Sequence, residues 1–403
     1  MVDGLAGGGE HGEAAAALGV HDDGEPAVLL EVAGAPPEPL GHRVAEVLVG
    51  FGAGDEEARL QPGLLQPAEA FVGLVEDGVG VGMKIGMTHG LQSVWYPDGE
   101  RRGVFRAPCA GILRQHHRLP MQHHDLTFTT PDGLDLAGRV WHPDFGARGA
   151  VLVVHGLGEH SGRYAAFASR LLAAGYAVYA YDHRGHGQSE GERGMVARFD
   201  DYVGDLYAVL HSVRIDAGQR LGAGRPLFLF GQSMGGLIAA TYVDRHGPDG
   251  FAGLVLSAPA LRLPDTTAPF LRPIAPLLVR LFPRLVVDKL NLDHLSRDPV
   301  VGRTYAADPL TDARVRARLG FEVLQASEEL RQSDAANFTL PLLLLHGEAD
   351  QITDPDGTRW LYEHAPTEDK KLLLYANGRH EPHNDLQKEA VYESLIGWLD
   401  QHA

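Results

Sequence analysis

The chain has 403 residues, 44% of them apolar and 22% charged, which is the balance of a folded globular protein and excludes a disordered or fibrous one. Its 53 acidic residues against 35 basic ones give a formal charge of −18 and exclude a general nucleic-acid binder, which needs clustered Lys and Arg to neutralise phosphates. A single cysteine, Cys109, excludes an intramolecular disulfide framework and a thiolate metal site built from one chain.

Residues 1–20 hold no Lys or Arg and carry Glu10, His11 and Glu13, so they lack both the charged and the apolar region of a secretory signal. No uncharged apolar run reaches the ~18 residues of a membrane helix, and the expected location is the cytoplasm. Up to Pro120 glycine and alanine dominate: Lys84 is the only lysine, Ser93 and Thr88 are the only serine and threonine, and asparagine is absent. Short apolar runs such as Ala27 to Val32 and Val44 to Phe51 are separated by Gly and Pro clusters, with no sustained period. Residues 1–120 therefore read as a poorly ordered extension, or as the product of a start assigned upstream of Met121. Val47 to Gly54 resembles a strand running into a Gly-rich phosphate turn, but its third glycine comes one residue early for G-x-G-x-x-G.

From Met121 onward the pattern is regular. Asp125 to Thr130 and Leu134 to Trp141, joined by Pro131-Asp132-Gly133, predict a hairpin. Strands are predicted at Ala150 to Val154, Ala177 to Tyr181, Pro226 to Phe230, Leu254 to Ser257, Leu342 to Leu345 and Lys371 to Tyr375. Helices are predicted at Tyr164 to Ala174, Asp200 to Ala217, Gly235 to Arg245 and about Gln387 to His402. Such alternation implies an α/β fold, a mostly parallel sheet with helices on both faces and its chemistry at the strands' carboxyl ends.

G-x-S-x-G occurs twice, at Gly187-Gln188-Ser189-Glu190-Gly191 and at Gly231-Gln232-Ser233-Met234-Gly235. Ser189 follows a polar stretch and reads as a loop serine. Ser233 stands between Leu227 to Phe230 and Gly236 to Ala240, the strand, elbow and helix order that exposes a nucleophilic hydroxyl. A serine hydroxyl is a weak nucleophile, so a histidine must take its proton and a carboxylate must orient that imidazole. In the expected order Ser, Asp, His, the carboxylate is Asp350, just past a buried strand, with Asp354 and Asp356 as competitors. The histidine is His380 or His383, after the next strand. Oxyanion donors are expected from the backbone N–H of Met234, after the nucleophile, and of Leu157, in the loop after an early strand. His155 braces that loop.

These motifs, His155-Gly156-Leu157-Gly158-Glu159-His160-Ser161-Gly162-Arg163-Tyr164, Asp182 to Ser189 and Gly231 to Gly236, together with Leu295 to Pro299 and Tyr305 to Leu310, resemble the monoacylglycerol lipase and lysophospholipase group of α/β-hydrolases, which includes serine aminopeptidase-like proteins. The resemblance runs from about Met121 to the C-terminus. It implies an α/β-hydrolase domain over 121–403, the triad Ser233, Asp350 and His380, and hydrolysis of single-chain acyl esters through an acyl-enzyme. Gln232 departs from the group, whose members usually have His there; a tuned pocket rather than lost activity is expected.

The segment between Ala258 and Pro341 exceeds a plain crossover, and Phe270, Ile274, Leu277, Leu278, Leu281 and Leu285 fall roughly on one helical face. The resemblance implies a lid, about 259–338, over an acyl pocket, with transient lipid contact in which Arg280 and Arg284 give weak anchoring. No cofactor or metal is expected: His116, His117, His123 and His124 lack the spacing of a zinc motif. The alternatives are a peptidase or short-chain carboxylesterase with the same triad, and a non-catalytic binding protein on the same scaffold.

Overall fold

The structure is a computed structural model. It describes seven strands between residues 14 and 105, and then residues 123–143, 146–264 and 275–403. The chain divides into two units, Met1–Arg118 and Leu119–Ala403.

In the first unit the strands are β1 (Ala14–Val20), β2 (Pro26–Val32), β3 (Glu46–Gly50), β4 (Glu69–Glu76), β5 (Val79–Thr88), β6 (Leu91–Trp95) and β7 (Arg101–Phe105). They pair in sequence order, each antiparallel to the next, as one seven-stranded sheet. β2 and β3 fall on the two short apolar runs noted above. Of the glycine-rich turn after Val49, everything beyond Gly50 lies outside the described residues.

The second unit is built on an eight-stranded sheet. Its strands are β8 (His123–Thr129), β9 (Asp135–Trp141), β10 (Gly149–Val154), β11 (Tyr176–Tyr181), β12 (Leu227–Gln232), β13 (Gly253–Ser257), β16 (Leu342–Gly347) and β17 (Lys370–Tyr375). The spatial order is β17-β16-β13-β12-β10-β11-β9-β8; the first six are parallel, and the β8–β9 hairpin closes one edge antiparallel. At the hairpin turn Thr130 Oγ1 accepts from Leu134 N at 2.9 Å and donates to Asp132 Oδ1 at 2.6 Å, while Gly133 takes the left-handed backbone (φ +88°) that the tight reversal requires.

β10 to β13 and β16 are buried at every residue. Helices cover both faces, so strands such as Val-Leu-Val-Val read as continuous apolar runs. Successive side chains alternate between two cores. Leu152, Val154 and Leu229 pack with α2 (Phe199–Leu221), α3 (Met234–His246) and α7 (Pro355–His364); Val151, Val153, Phe228 and Phe230 pack with α1 (Ala165–Ala173) and α8 (Lys388–Gln401).

Between β13 and β16 the described chain forms α4 (Ala275–Leu281), β14 (Val286–Lys289), α5 (Pro299–Ala307), β15 (Arg314–Arg316) and α6 (Ala317–Gln332). Within it α6 is a core helix: Leu319, Val323, Ala326 and Leu330 join the sheet's larger core. α4 has seven residues, Pro276 lies in its first turn, and Pro283 follows its end, where a proline ring cannot continue a helix. Its Leu277 and Leu281 are each 59% exposed, and Phe282, Leu285, Val286 and Val287 beyond it are also exposed. Phe270, Ile274 and the side chain of Leu278 lie outside the described residues.

Candidate active site

Ser233 stands at the turn from β12 into α3, with φ +56° and ψ −118°, a backbone region that non-glycine residues rarely occupy. The turn is pinned by Ser233 N donating to Ser257 O (3.0 Å) and by Ala260 N (2.9 Å) and Leu237 N (3.0 Å) donating to Ser233 O. Close approach dictates the glycines. A Cβ on Gly235 would sit 2.1 Å from the Val154 carbonyl oxygen, and one on Gly156 would sit 3.2 Å from Ser233 Cβ. The loop after β10 therefore passes directly over the serine.

Two parallel strands supply the remaining groups from their carboxyl ends. His380, after β17, has Nε2 2.8 Å from Ser233 Oγ and Nδ1 2.8 Å from Asp350 Oδ2, and Asp350 follows β16. The other oxygen, Oδ1, accepts from Ile352 N (2.8 Å) and Thr353 N (3.1 Å). Burial pushes the Asp350 carboxyl up, but the His380 charge and the hydrogen bonds from His346 and His380 outweigh it and hold the group ionised. Burial likewise presses the His380 imidazolium down, yet the Asp350 carboxylate, with smaller contributions from Glu381 and Glu159, leaves it above its ordinary value.

The competitors are engaged elsewhere. Asp354 caps α7 by accepting from Asp356 N and pairs with Arg262, which Asp356 also meets. The His383 ring stacks on Tyr164 with centroids 5.6 Å apart, and burial brings it down to about 4. Ser189 Oγ donates to Asp182 O and accepts from Ala137 N in a loop.

Met234 is the first residue of α3, where an N–H has no intrahelical acceptor. Leu157 follows Gly156 in the loop over the serine. That loop is held at each residue around it: His155 Nδ1 donates to Gly156 O (2.7 Å), and His155 Nε2 accepts from His183 N (3.0 Å). Glu159 Oε1 accepts from Gly156 N (2.6 Å) and Tyr164 OH (3.0 Å). Gly158 O accepts from Tyr305 OH (2.6 Å) and Asp312 N (2.8 Å), so the chain after α4 holds the loop from above.

Sequence reasoning passes over Arg163 and His346, and it singles out Gln232 without its contact; the fold brings all three here. Arg163 lies between Glu159 and Glu381, donating to both Glu381 oxygens at 2.9 and 3.0 Å, with its guanidinium 5.0 Å from the Tyr305 ring. This buried pair ties the serine-side loop to the residue after His380. Glu159 and Arg163 stand four apart, a spacing visible in the sequence; Glu381 is 218 residues away, and only the fold joins it. Gln232 Nε2 donates to His380 O (2.9 Å), and His346 contacts Asp350. Among the described residues no three His, Cys, Asp or Glu side chains form a metal cluster. His123 and His124 are exposed on β8, and His116 and His117 lie outside the described residues.

Comparison with known proteins bears on this arrangement. Residues 146–387 match the serine aminopeptidase S33 family. The chain is similar to a monoacylglycerol lipase of Mycolicibacterium smegmatis, 34% identical over 277 residues that cover 68% of this chain and 96% of that one. It is similar to the human monoglyceride lipase, 36% identical over 275 residues covering 67% and 88%. Among solved structures it resembles the Paleococcus ferrophilus monoacylglycerol lipase, with a TM-score of 0.57 and 34% identity over 70% of this chain and all of that one. The Saccharomyces cerevisiae monoglyceride lipase, solved with a substrate analogue, gives a TM-score of 0.61 at 26% identity over 70% of this chain and 94% of that one.

Proposed function

The chain belongs to the serine aminopeptidase S33 family of α/β-hydrolases, and we propose that it is a serine ester hydrolase cleaving monoacylglycerol, or another single-chain acyl ester, through an acyl-enzyme on Ser233. The observation that carries the reading is the line Ser233 Oγ, His380, Asp350, closed at both joints by 2.8 Å contacts.

His380 Nε2 takes the hydroxyl proton as Ser233 Oγ attacks the ester carbonyl, and the imidazolium so formed is stabilised by Asp350. The negative charge on the carbonyl oxygen falls to the N–H groups of Leu157 and Met234, each worth ~3 kcal/mol on the scale of such donors. His380 then protonates the departing alkoxide, glycerol in the case of a monoacylglycerol. It next draws a proton from water, which attacks the acyl-enzyme, and passes that proton to Ser233 Oγ as the fatty acid leaves, restoring the hydroxyl. Asp350 stays ionised throughout.

The exposed side chains of Leu277, Leu281, Phe282, Leu285, Val286 and Val287 give the segment around α4 an apolar outer surface suited to brief contact with a lipid aggregate. Arg284 is engaged with Glu192, which weakens any anchoring by charge. No described helix is long and apolar enough to cross a membrane.

The test is hydrolysis of a chain-length series of monoacylglycerols and p-nitrophenyl esters, with peptide amides in parallel and Ser233→Ala and Ser189→Ala as paired controls. Activity that peaks on a lipid ester and is abolished only by Ser233→Ala is expected. Turnover of peptides alone would transfer the reading to a peptidase, and a rate unmoved by Ser233→Ala would end it.

A further inference from the structure

The reaction above gives no task to His346 and Thr358, two fully buried polar side chains behind the acid. His346, near the end of β16, has Nε2 3.1 Å from Asp350 Oδ2 and Nδ1 2.7 Å from the hydroxyl of Thr358 on α7. Asp350 Oδ2 therefore faces two imidazoles, His380 at 2.8 Å and His346, as well as the Thr353 hydroxyl at 2.8 Å. A carboxylate oxygen offers about two lone-pair directions, so these donors compete for one atom. A neutral histidine can donate to a carboxylate from Nε2 only if Nδ1 is the acceptor, and the Thr358 hydroxyl is placed to supply the proton that Nδ1 needs.

We infer that His346 is a positioning residue of the site: by donating Nε2–H to Asp350 Oδ2 it fixes the acid and shares its charge between two imidazoles, while Thr358 holds the tautomer that makes this possible. The basicity of His380 is then set partly from behind Asp350, as outer hydrogen bonds set the basicity of metal-bound histidines. This rests on the triad reading above.

The charged and titratable groups facing the set are Asp350 and His380, with Glu381 and Glu159 on either side of Arg163 near His380. Asp354, on the loop leading into α7, is turned to Arg262. From the other packed elements His346 meets the neutral hydroxyls of Thr353 and Thr358. Removing the His346 donor leaves more of the Asp350 charge to His380, which then holds its proton more tightly.

The test uses the full chain with His346→Leu, His346→Gln and Thr358→Val. Proton NMR follows the far-downfield Nδ1–H of His380 through a pH titration, beside the pH profile of kcat/KM on a p-nitrophenyl ester. His346→Leu is expected to raise the His380 midpoint by roughly half a unit or more and to lower kcat/KM at neutral pH several-fold. Thr358→Val moves the midpoint the same way by less. Gln, whose amide reaches the place of Nε2, leaves the midpoint where it was.

Equal midpoints in the wild type and Thr358→Val, or equal shifts in the Leu and Gln variants, would overturn the inference. The comparison of Thr358→Val with His346→Gln decides the matter if the Leu variant does not fold. The NMR midpoint needs no substrate, so a failure of the ester reading shows separately, as turnover insensitive to Ser233→Ala.

Discussion

Gln232, the residue before Ser233, donates its side-chain N–H to the backbone carbonyl of His380 at 2.9 Å, so β12 holds the loop that carries His380 as well as the serine. Replacing Gln232 by Leu leaves that buried carbonyl unpaired, a cost of about 1–3 kcal/mol, and frees the loop to shift against Ser233. A fall of roughly tenfold in kcat/KM is expected, because small misplacements of a general base cost that much or more. Histidine, the residue usual in the group this chain resembles, can donate an N–H to the same carbonyl; Gln232→His is expected within about threefold of wild type. Steady-state kinetics on a p-nitrophenyl ester separate the two, and equal losses in both variants would refute the tether.

The pH profile follows from His380. Its pKa lies above the ordinary 6.5 because the Asp350 carboxylate outweighs the burial that opposes the charged form. The base must be neutral to accept the Ser233 proton, so kcat/KM falls as pH drops through this raised value. The acidic limb is therefore expected above 6.5. Asp350→Asn removes the charge that raises it and allows the wrong tautomer, so the rate is expected to fall by about 10⁴ and any residual limb to move down. A wild-type limb below 6.5 would show that the carboxylate does not govern His380.

Arg163 is the sole cation between the buried carboxylates of Glu159 and Glu381 among the described contacts. Burial pushes the Glu381 carboxyl up, and the Arg163 charge reverses the effect and holds it below its ordinary value. Arg163→Met strands two carboxylates in the interior, a loss of roughly 3–5 kcal/mol by the behaviour of broken buried pairs. Glu381→Gln leaves Arg163 with Glu159 and is expected to cost less. Urea unfolding of the two variants gives the order; a Glu381→Gln loss equal to that of Arg163→Met would mean that Glu159 takes no share of the cation.

What could be read in advance was whatever local chemistry dictates. The elbow at Ser233 is legible because the apolar run before it and the small residues after it are consecutive in the chain. The two G-x-S-x-G matches differ in that context alone. Asp350 could be ranked above Asp354 because it stands in the loop just past a buried strand, and the structure gives Asp354 to a helix cap. Between His380 and His383 the residues alone did not choose; the resemblance did, and the structure gives His383 to an aromatic stack. The apolar positions from Phe270 to Leu285 have a helical period, but Pro273, Pro276 and Pro283 interrupt it, and the described helix is seven residues long. The Arg163–Glu381 pair was invisible because contact between residues 218 apart is a property of the fold.

Four buried histidines make stability sensitive to mild acid. Burial lowers His155 and His183 well below 6.5, and lowers His186 and His383 to about 4. Below pH 6.5 the unfolded chain binds protons at these positions while the folded chain does not, so stability declines as pH falls, down to about pH 4 for His186 and His383. His380, raised in the fold, acts the other way: its contribution is present below 6.5 and is lost as pH rises through its folded value. These four, with a smaller part from the half-buried His142, which burial also lowers, stand against one and leave a net loss on the order of 1 kcal/mol per uncompensated histidine at pH 5.5. The depressed carboxylates of Asp350 and Glu381 enter only nearer their ordinary values of 3.8 and 4.5, and Asp205, which burial raises, acts against the histidines, so a fall in stability from pH 7.5 to 5.5 belongs to the histidines. Urea midpoints are expected to fall across that range, and His383→Phe, which keeps a ring against Tyr164 and cannot take a proton, is expected to reduce the fall. Midpoints independent of pH over the same range would mean that these rings take up protons without unfolding the chain.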